Sequence, residues 1–99
     1  MSARVVHAAE QSRYEIWLGE ELAGYAEYEQ AGDVVRLTAT RIYDEFERRG
    51  LGSALAEGLV VDVRNRGQRV LPVCPFMVWW VAEHPECGDI VEPDGPEDD

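Results

Sequence analysis

Residues 13–18 alternate, with Tyr14, Ile16 and Leu18 on one side and Arg13, Glu15 and Trp17 on the other. A period of two is that of a strand with one face buried. Gly19-Glu20-Glu21 then supplies a tight turn. A second alternating run, residues 22–29, sets Ala23, Tyr25 and Glu27 against Ala26 and Tyr28, and two such runs across a short glycine-containing turn predict a hairpin. Gln30-Ala31-Gly32-Asp33 turns the chain again into residues 34–43, which are rich in β-branched side chains. The first 43 residues therefore predict a three-stranded antiparallel meander, with His7 left in an irregular, solvated lead-in.

After Gly50 the period lengthens to about 3.6. Leu51, Leu55 and Leu59, with Ala54 and Val63 beside them, form an apolar stripe that leaves Glu57, Asp62, Arg64 and Arg66 off it. Gly67 is a natural C-terminal stop, and the two arginines before it suit the negative end of the helix dipole. An amphipathic helix of about four turns, packed on a sheet, follows. Val70-Leu71-Pro72-Val73-Cys74 is apolar on both faces, as a central strand is. Pro75 opens a second helix through Met77, Trp79, Trp80 and Val81, and Pro85 ends it near His84 by disfavouring helical geometry there. Adjacent tryptophans cannot share one helix face, so Trp79 or Trp80 reaches an edge, lining a groove or a dimer contact, while Phe76 reads as core.

The predicted order, β-β-β-α-β-α, makes an α/β domain of residues 1–87. Gly, Pro, Asp and Glu dominate residues 88–99, which read as a flexible acidic tail. Charge sharpens that division. Of the formal net charge of −11, residues 1–82 carry 12 acidic residues against all nine arginines, and residues 83–99 carry eight acidic residues and no basic one. A body short of cations excludes nucleic-acid binding over its surface. The longest uncharged stretch, residues 70–82, is too short for a bilayer, which needs about 20 apolar residues. No apolar leader follows Met1, and Cys74 and Cys87 are too few for a disulfide framework, so a cytoplasmic protein is expected. His7, Cys74, His84 and Cys87 contain no closely spaced ligand pair, so no metal site is expected.

The segment Asp44-Glu45-Phe46-Glu47-Arg48-Arg49-Gly50-Leu51-Gly52-Ser53 lies between a strand and a helix. Its glycines allow close backbone approach, and the first N–H groups of a helix attract anions. Arg48 and Arg49 add cationic side chains, so a diphosphate fits chemically. A nucleotide-binding Rossmann turn wants a third small residue where Leu55 stands, and a P-loop wants a lysine, of which the chain has none. A bare Gly-x-Gly leaves two readings open, a ligand cradle or a tight entry into a helix.

Five short motifs in order add a resemblance. Arg13-Tyr14-Glu15, Thr40-Arg41-Ile42, the run from Gly50 through Gly52-Ser53 to Leu55, Pro72-Val73-Cys74-Pro75-Phe76 and His84-Pro85-Glu86 resemble the short single-domain members of the GNAT superfamily of N-acetyltransferases. The resemblance implies a minimal GNAT fold, in which the meander is followed by a CoA-binding helix, a central strand and a second helix. It implies acetyl-CoA as co-substrate, with the pyrophosphate held at Arg48, Arg49, Gly50, Leu51, Gly52 and Ser53 and the pantetheine arm along Thr40, Arg41 and Ile42. The superfamily has Gln or Arg where this chain has Glu47, a carboxylate that would repel a diphosphate. Glu47 is therefore expected to point away, leaving the charge to Arg48 or Arg49.

Cys74 is the catalytic residue that the resemblance favours, as nucleophile or as proton donor to the CoA sulfur. Read from its neighbours alone, it is a small buried hydrophobe. His84, with Glu86 orienting it, is a candidate general base, and its alternative is a cap on a helix C-terminus. Tyr43 is a secondary proton donor or ordinary strand packing, and Cys87 reads as a free thiol beside the tail. The function expected is acetyl transfer from acetyl-CoA to an amine, on a small molecule or a peptide, by a monomer or homodimer. The alternative is a CoA-binding or protein-interaction module without efficient catalysis.

Overall fold

The structure is a computed structural model and describes residues 2–92. Strands β1 (Ala3–Ala8), β2 (Arg13–Leu18), β3 (Glu21–Ala31) and β4 (Val34–Ile42) run antiparallel in succession. Helix α1 (Leu51–Asn65) crosses over to β5 (Arg69–Pro72), which pairs parallel with β4, and helix α2 (Pro75–Glu83) follows. The strands lie in the order β1-β2-β3-β4-β5.

The antiparallel part thus has four strands, one more than the alternation predicts. In β1 no period-two pattern exists to be read: Val5 and Val6 are adjacent, and no residue of the strand is fully buried. Pairing with β2, from Ala3 opposite Leu18 to Ala8 opposite Arg13, holds it in place. His7 is consequently not solvated in a lead-in. Its ring stacks on Tyr14 at 4.3 Å, and its Nε2 lies 2.6 Å from the Tyr28 hydroxyl.

One layer of helix covers one face of the sheet. Tyr14 and Ile16 of β2, Val35 and Leu37 of β4, Leu55, Leu59 and Val63 of α1, Val70 of β5, and Met77 and Trp80 of α2 are all at most 1% exposed. The Cβ that Gly58 lacks would stand 2.5 Å from Val5 Cγ2, so a glycine there lets α1 lie directly on β1. Gly67 ends the helix in a left-handed conformation (φ +70°), where the Gln68 N–H donates to the Val63 carbonyl at 3.0 Å.

The run expected as a central strand is the last strand of the sheet. Val70 is nevertheless fully buried, because Val91 forms a bridge beside it and the Glu92 N–H donates to its carbonyl at 2.7 Å. Residues 88–92 therefore belong to the folded body, contrary to their reading as tail. A 3-10 helix over Pro85–Ile90 turns Cys87 and Ile90, three residues apart, inward together, to 5% and 6% exposure. Arg64 on α1 holds Asp89 at 2.7 Å, and Arg69 holds Glu92 at 2.8 Å. The rest of the predicted tail, residues 93–99, lies outside the described residues. Among the described residues no helix is long and apolar enough to cross a membrane.

Candidate functional site

Strands β4 and β5 stay together only from Val34 opposite Arg69 to Leu37 opposite Pro72. There the Leu37 carbonyl accepts both the Val73 and the Cys74 N–H, each at 3.0 Å, and β5 leaves the sheet. Thr38 is an extra residue in β4, because Tyr28 pairs with Leu37 and Glu27 with Ala39. Such a bulge shifts the alternation of main-chain groups. Before it Leu37 faces β5, and after it the Tyr43 N–H donates to the Ala23 carbonyl of β3 at 2.9 Å. By alternation the peptide groups of Thr40 and Ile42 then face away from β3, toward an edge with no strand on it among the described residues.

That open edge leads into the glycine turn. A 3-10 turn over Asp44–Phe46 buries Phe46, and the Glu47 N–H closes it by donating to the Asp44 carbonyl at 3.2 Å. Arg48 (φ +67°) and Gly50 (φ +73°) are both left-handed, which for arginine is a strained conformation of the kind found at binding sites. The helix makes its first bond only from the Ala54 N–H to the Gly50 carbonyl, at 3.1 Å. Among the described residues, none of the amides of Arg48, Arg49, Gly50, Leu51, Gly52 and Ser53 donates to a backbone carbonyl. Successive free amides around left-handed residues, at the positive end of a helix dipole, form an anion-binding concavity.

The concavity is part of a cleft of about 410 Å³, lined by Ile42 from β4, Glu47, Arg48 and Gly50 through Ser53 of the turn, and the aromatic rings of Phe46, Phe76 and Trp79. The two glycines serve it differently. A Cβ on Gly50 would meet nothing within 4 Å, so its conformation is what requires glycine. A Cβ on Gly52 would stand 3.1 Å from the Phe76 ring, a tight contact, so its smallness lets α2 approach closely at the floor. Arg48 lines the cleft. Arg49 does not: its guanidinium lies 5.7 Å over the Phe46 ring, beside a separate hollow with Ala3, Leu18 and Leu51. Glu47, expected to point away, is exposed and is among the residues lining the same cleft.

Cys74 caps α2 at the point where β4 and β5 part, 6% exposed, with its Sγ 3.2 Å from Thr40 Oγ1. The structure therefore brings together two residues 34 positions apart, one from each strand of the splay. It does not bring His84 to them. His84 lies at the opposite end of α2, roughly 15 Å along the helix axis. Its Nδ1–H donates to the Trp80 carbonyl at 2.8 Å, and its ring stacks on Trp80 at 3.9 Å, the arrangement of a helix cap. Glu86 forms no hydrogen bond or ion pair with it among the described residues. Tyr43 packs edge-on against Tyr25 at 6.1 Å, with the Arg41 guanidinium 5.6 Å from its ring. Cys87 is buried rather than beside a loose tail, and burial raises its thiol pKa.

A second polar cluster stands near the C-terminal end of α1. The Tyr14 hydroxyl donates to Asp62 Oδ2 at 2.7 Å, Arg66 Nε donates to the same oxygen at 2.8 Å, and His7 Nδ1 lies 3.6 Å from it. Burial lowers the His7 pKa, helped by the charge of Arg66, and raises those of Tyr14 and Tyr28. Burial would raise Asp62 too, but the hydrogen bonds from Tyr14 and Arg66 outweigh it and hold the carboxyl below its ordinary range.

Sequence reasoning missed the bulge at Thr38 and the part of Phe46 and Phe76 in the cleft wall. Thr38-Ala39-Thr40 reads as an unbroken strand and Phe76 as core, whereas one of the two tryptophans is expected at a groove or a dimer contact, with nothing in the pattern to say which. Trp79 is in fact 53% exposed, while Trp80 is 1% exposed.

Residues 13–90 match the family model described as GCN5-related N-acetyl-transferase. The chain belongs to this family. No curated protein matches it by sequence. Among solved structures, a GCN5-like protein from Staphylococcus aureus is similar over 96% of both chains, with a TM-score of 0.68 and 15% identity. The ribosomal-protein-S18-alanine N-acetyltransferase of Escherichia coli is similar over 86% of this chain and 52% of its own, with a TM-score of 0.61 and 21% identity. A GNAT-family protein from Desulfovibrio desulfuricans is 27% identical over 59% of this chain and 40% of its own, with a TM-score of 0.51. This chain spans about half or less of the last two, and the fold is what it shares with the first two.

Proposed function

We propose that the protein binds acetyl-CoA in the cleft and transfers the acetyl group to an amine. Proteins of this family typically use acetyl-CoA. The observation that carries the reading is the continuity of the open edge of β4 with six free amides at the glycine turn. A diphosphate satisfies the amides of residues 48–53, with Arg48 beside it. A pantetheine arm, an extended chain with two amide groups, pairs with the main chain of Thr40 and Ile42 much as an added strand would. This arrangement brings the thioester to the splay, next to Cys74 and Thr40.

The chemistry asked of these residues is small. A neutral amine attacks the thioester carbon, and main-chain N–H groups at the open edge stabilise the charge that develops on oxygen. As the carbon–sulfur bond breaks, the Cys74 thiol gives its proton to the CoA sulfur and regains one from the ammonium formed by attack. Thr40 Oγ1 holds the thiol at 3.2 Å for that step. His84, engaged as a cap, takes no part. The excess of acidic residues in the body suits a cationic acceptor, on a small molecule or a peptide. The two free, buried cysteines suit a reducing compartment such as the cytoplasm.

Glu47 in the cleft wall favours a second reading, a module that holds CoA without efficient turnover. Calorimetry with CoA and acetyl-CoA, then thiol release from acetyl-CoA across a panel of amines, separates the two. Binding with turnover supports the transferase, binding without turnover the module, and absence of binding sinks both.

A further inference from the structure

The cleft has more aromatic surface than a diphosphate and a pantetheine arm require. Trp79 is 53% exposed although it lies on a helix whose next residue, Trp80, is 1% exposed. It lies one turn beyond Phe76, ring centres 5.8 Å apart, and both rings line the cleft that contains the amide concavity. Among the described residues, the other large exposed apolar side chains are Val61, Val73 and Val78, and none of them lines this cleft. Trp79 is therefore an open indole beside a diphosphate site, not a member of a general apolar patch.

We propose that Trp79 is the stacking platform for the purine base of the bound coenzyme, and so determines a preference for the nucleotide over its shorter pantetheine precursors. The inference rests on the acetyl-CoA reading and adds to it the part of the ligand that the β4 edge and the glycine turn do not address. An aliphatic pantetheine arm has amides to pair but no flat face to stack, whereas a purine has a flat face and is carried on the ribose beyond the diphosphate. Base–aromatic stacking is sequence-tolerant, needs no hydrogen-bond partner on the protein, and strengthens binding by about tenfold or more.

The test compares CoA with 4′-phosphopantetheine, which lacks the whole adenosine 3′,5′-bisphosphate half of CoA, by calorimetry on the wild type, Trp79→Ala and Trp79→Phe. The side chain is exposed, so both variants should retain the wild-type melting temperature. Expected are a loss of about tenfold or more in CoA affinity for Trp79→Ala, partial retention for Trp79→Phe, and a change within about twofold for 4′-phosphopantetheine in both. Quenching of tryptophan emission by CoA, absent in Trp79→Phe and absent with 4′-phosphopantetheine, is the matching spectroscopic result. Equal losses for the two ligands would overturn the proposal by placing the ring against the pantetheine arm, and an unchanged CoA affinity would overturn it outright. A wild type that binds neither ligand overturns the acetyl-CoA reading itself and the role of Trp79 with it.

Discussion

The Cβ that Gly52 does not have would stand 3.1 Å from the ring of Phe76, so the first turn of α1 and the first turn of α2 meet so closely that any side chain there requires the ring to give by a few tenths of an ångström. That contact sets the floor of the cleft. It also ties the glycine turn to the helix that carries Cys74 at its start.

Gly52→Val should displace the Phe76 ring into the cleft and weaken CoA binding by more than about tenfold. Gly50→Ala meets no neighbour, and its cost comes from the left-handed backbone, about 1–2 kcal/mol of stability. The two variants should thus divide, one showing its defect in calorimetry with CoA and the other in thermal unfolding. Equal binding by Gly52→Val and wild type would place the diphosphate elsewhere.

Glu47 and Arg48 line the cleft with opposite charge. Glu47→Gln should raise CoA affinity by about threefold to tenfold at low ionic strength, and Arg48→Gln should lower it by a similar factor. Both effects should shrink as salt is raised to about 0.5 M, since exposed charges are screened over a few ångströms there. A Glu47→Gln affinity that is unchanged at low salt would show that the carboxylate is turned from the bound phosphate.

Cys74 and Thr40 meet across the splay, and their substitutions should act on the same step. Cys74→Ala should lower kcat for thiol release about a hundredfold with little change in KM for acetyl-CoA, the signature of lost proton transfer. Thr40→Val preserves shape and removes only the hydroxyl, so it should lower kcat less, and adding it to Cys74→Ala should lower kcat no further. His84→Asn should leave kcat unchanged, and a large loss there would restore His84 as a base.

His7 predicts a pH dependence of stability. Its pKa in the folded protein lies below the ordinary value of about 6.5, so the unfolded chain binds the proton more readily. The stabilisation is present above pH of about 6.5 and is lost as pH falls below it. Melting temperature should therefore decline from pH 7 toward pH 5. His7→Phe retains a ring to stack on Tyr14, loses the titrating group, and should flatten that decline. The depressed Asp62 pKa adds a separate loss at lower pH, as its carboxylate becomes protonated. A decline of equal slope in His7→Phe would assign the effect to other groups.

The amino-acid pattern by itself determined the elements wherever burial is one-sided and regular. The alternation of Tyr14 and Ile16 placed β2, the stripe from Leu51 to Val63 placed α1, Gly67 ended it, and Pro75 and Pro85 bounded α2. The glycine turn was legible as well, because free amides at a helix start depend on local backbone. Tertiary structure decided what depends on neighbours distant in sequence. β1 exists because β2 offers it an edge, and residues 88–92 are ordered because Arg64, Arg69 and Val70 receive them. The bulge at Thr38 is a mismatch of count between two strands, so neither strand's own sequence reveals it. Cys74 meets Thr40, His84 stays a helix length away, and Trp79 rather than Trp80 faces the cleft, because crossover and packing fix which ends of strands and helices converge.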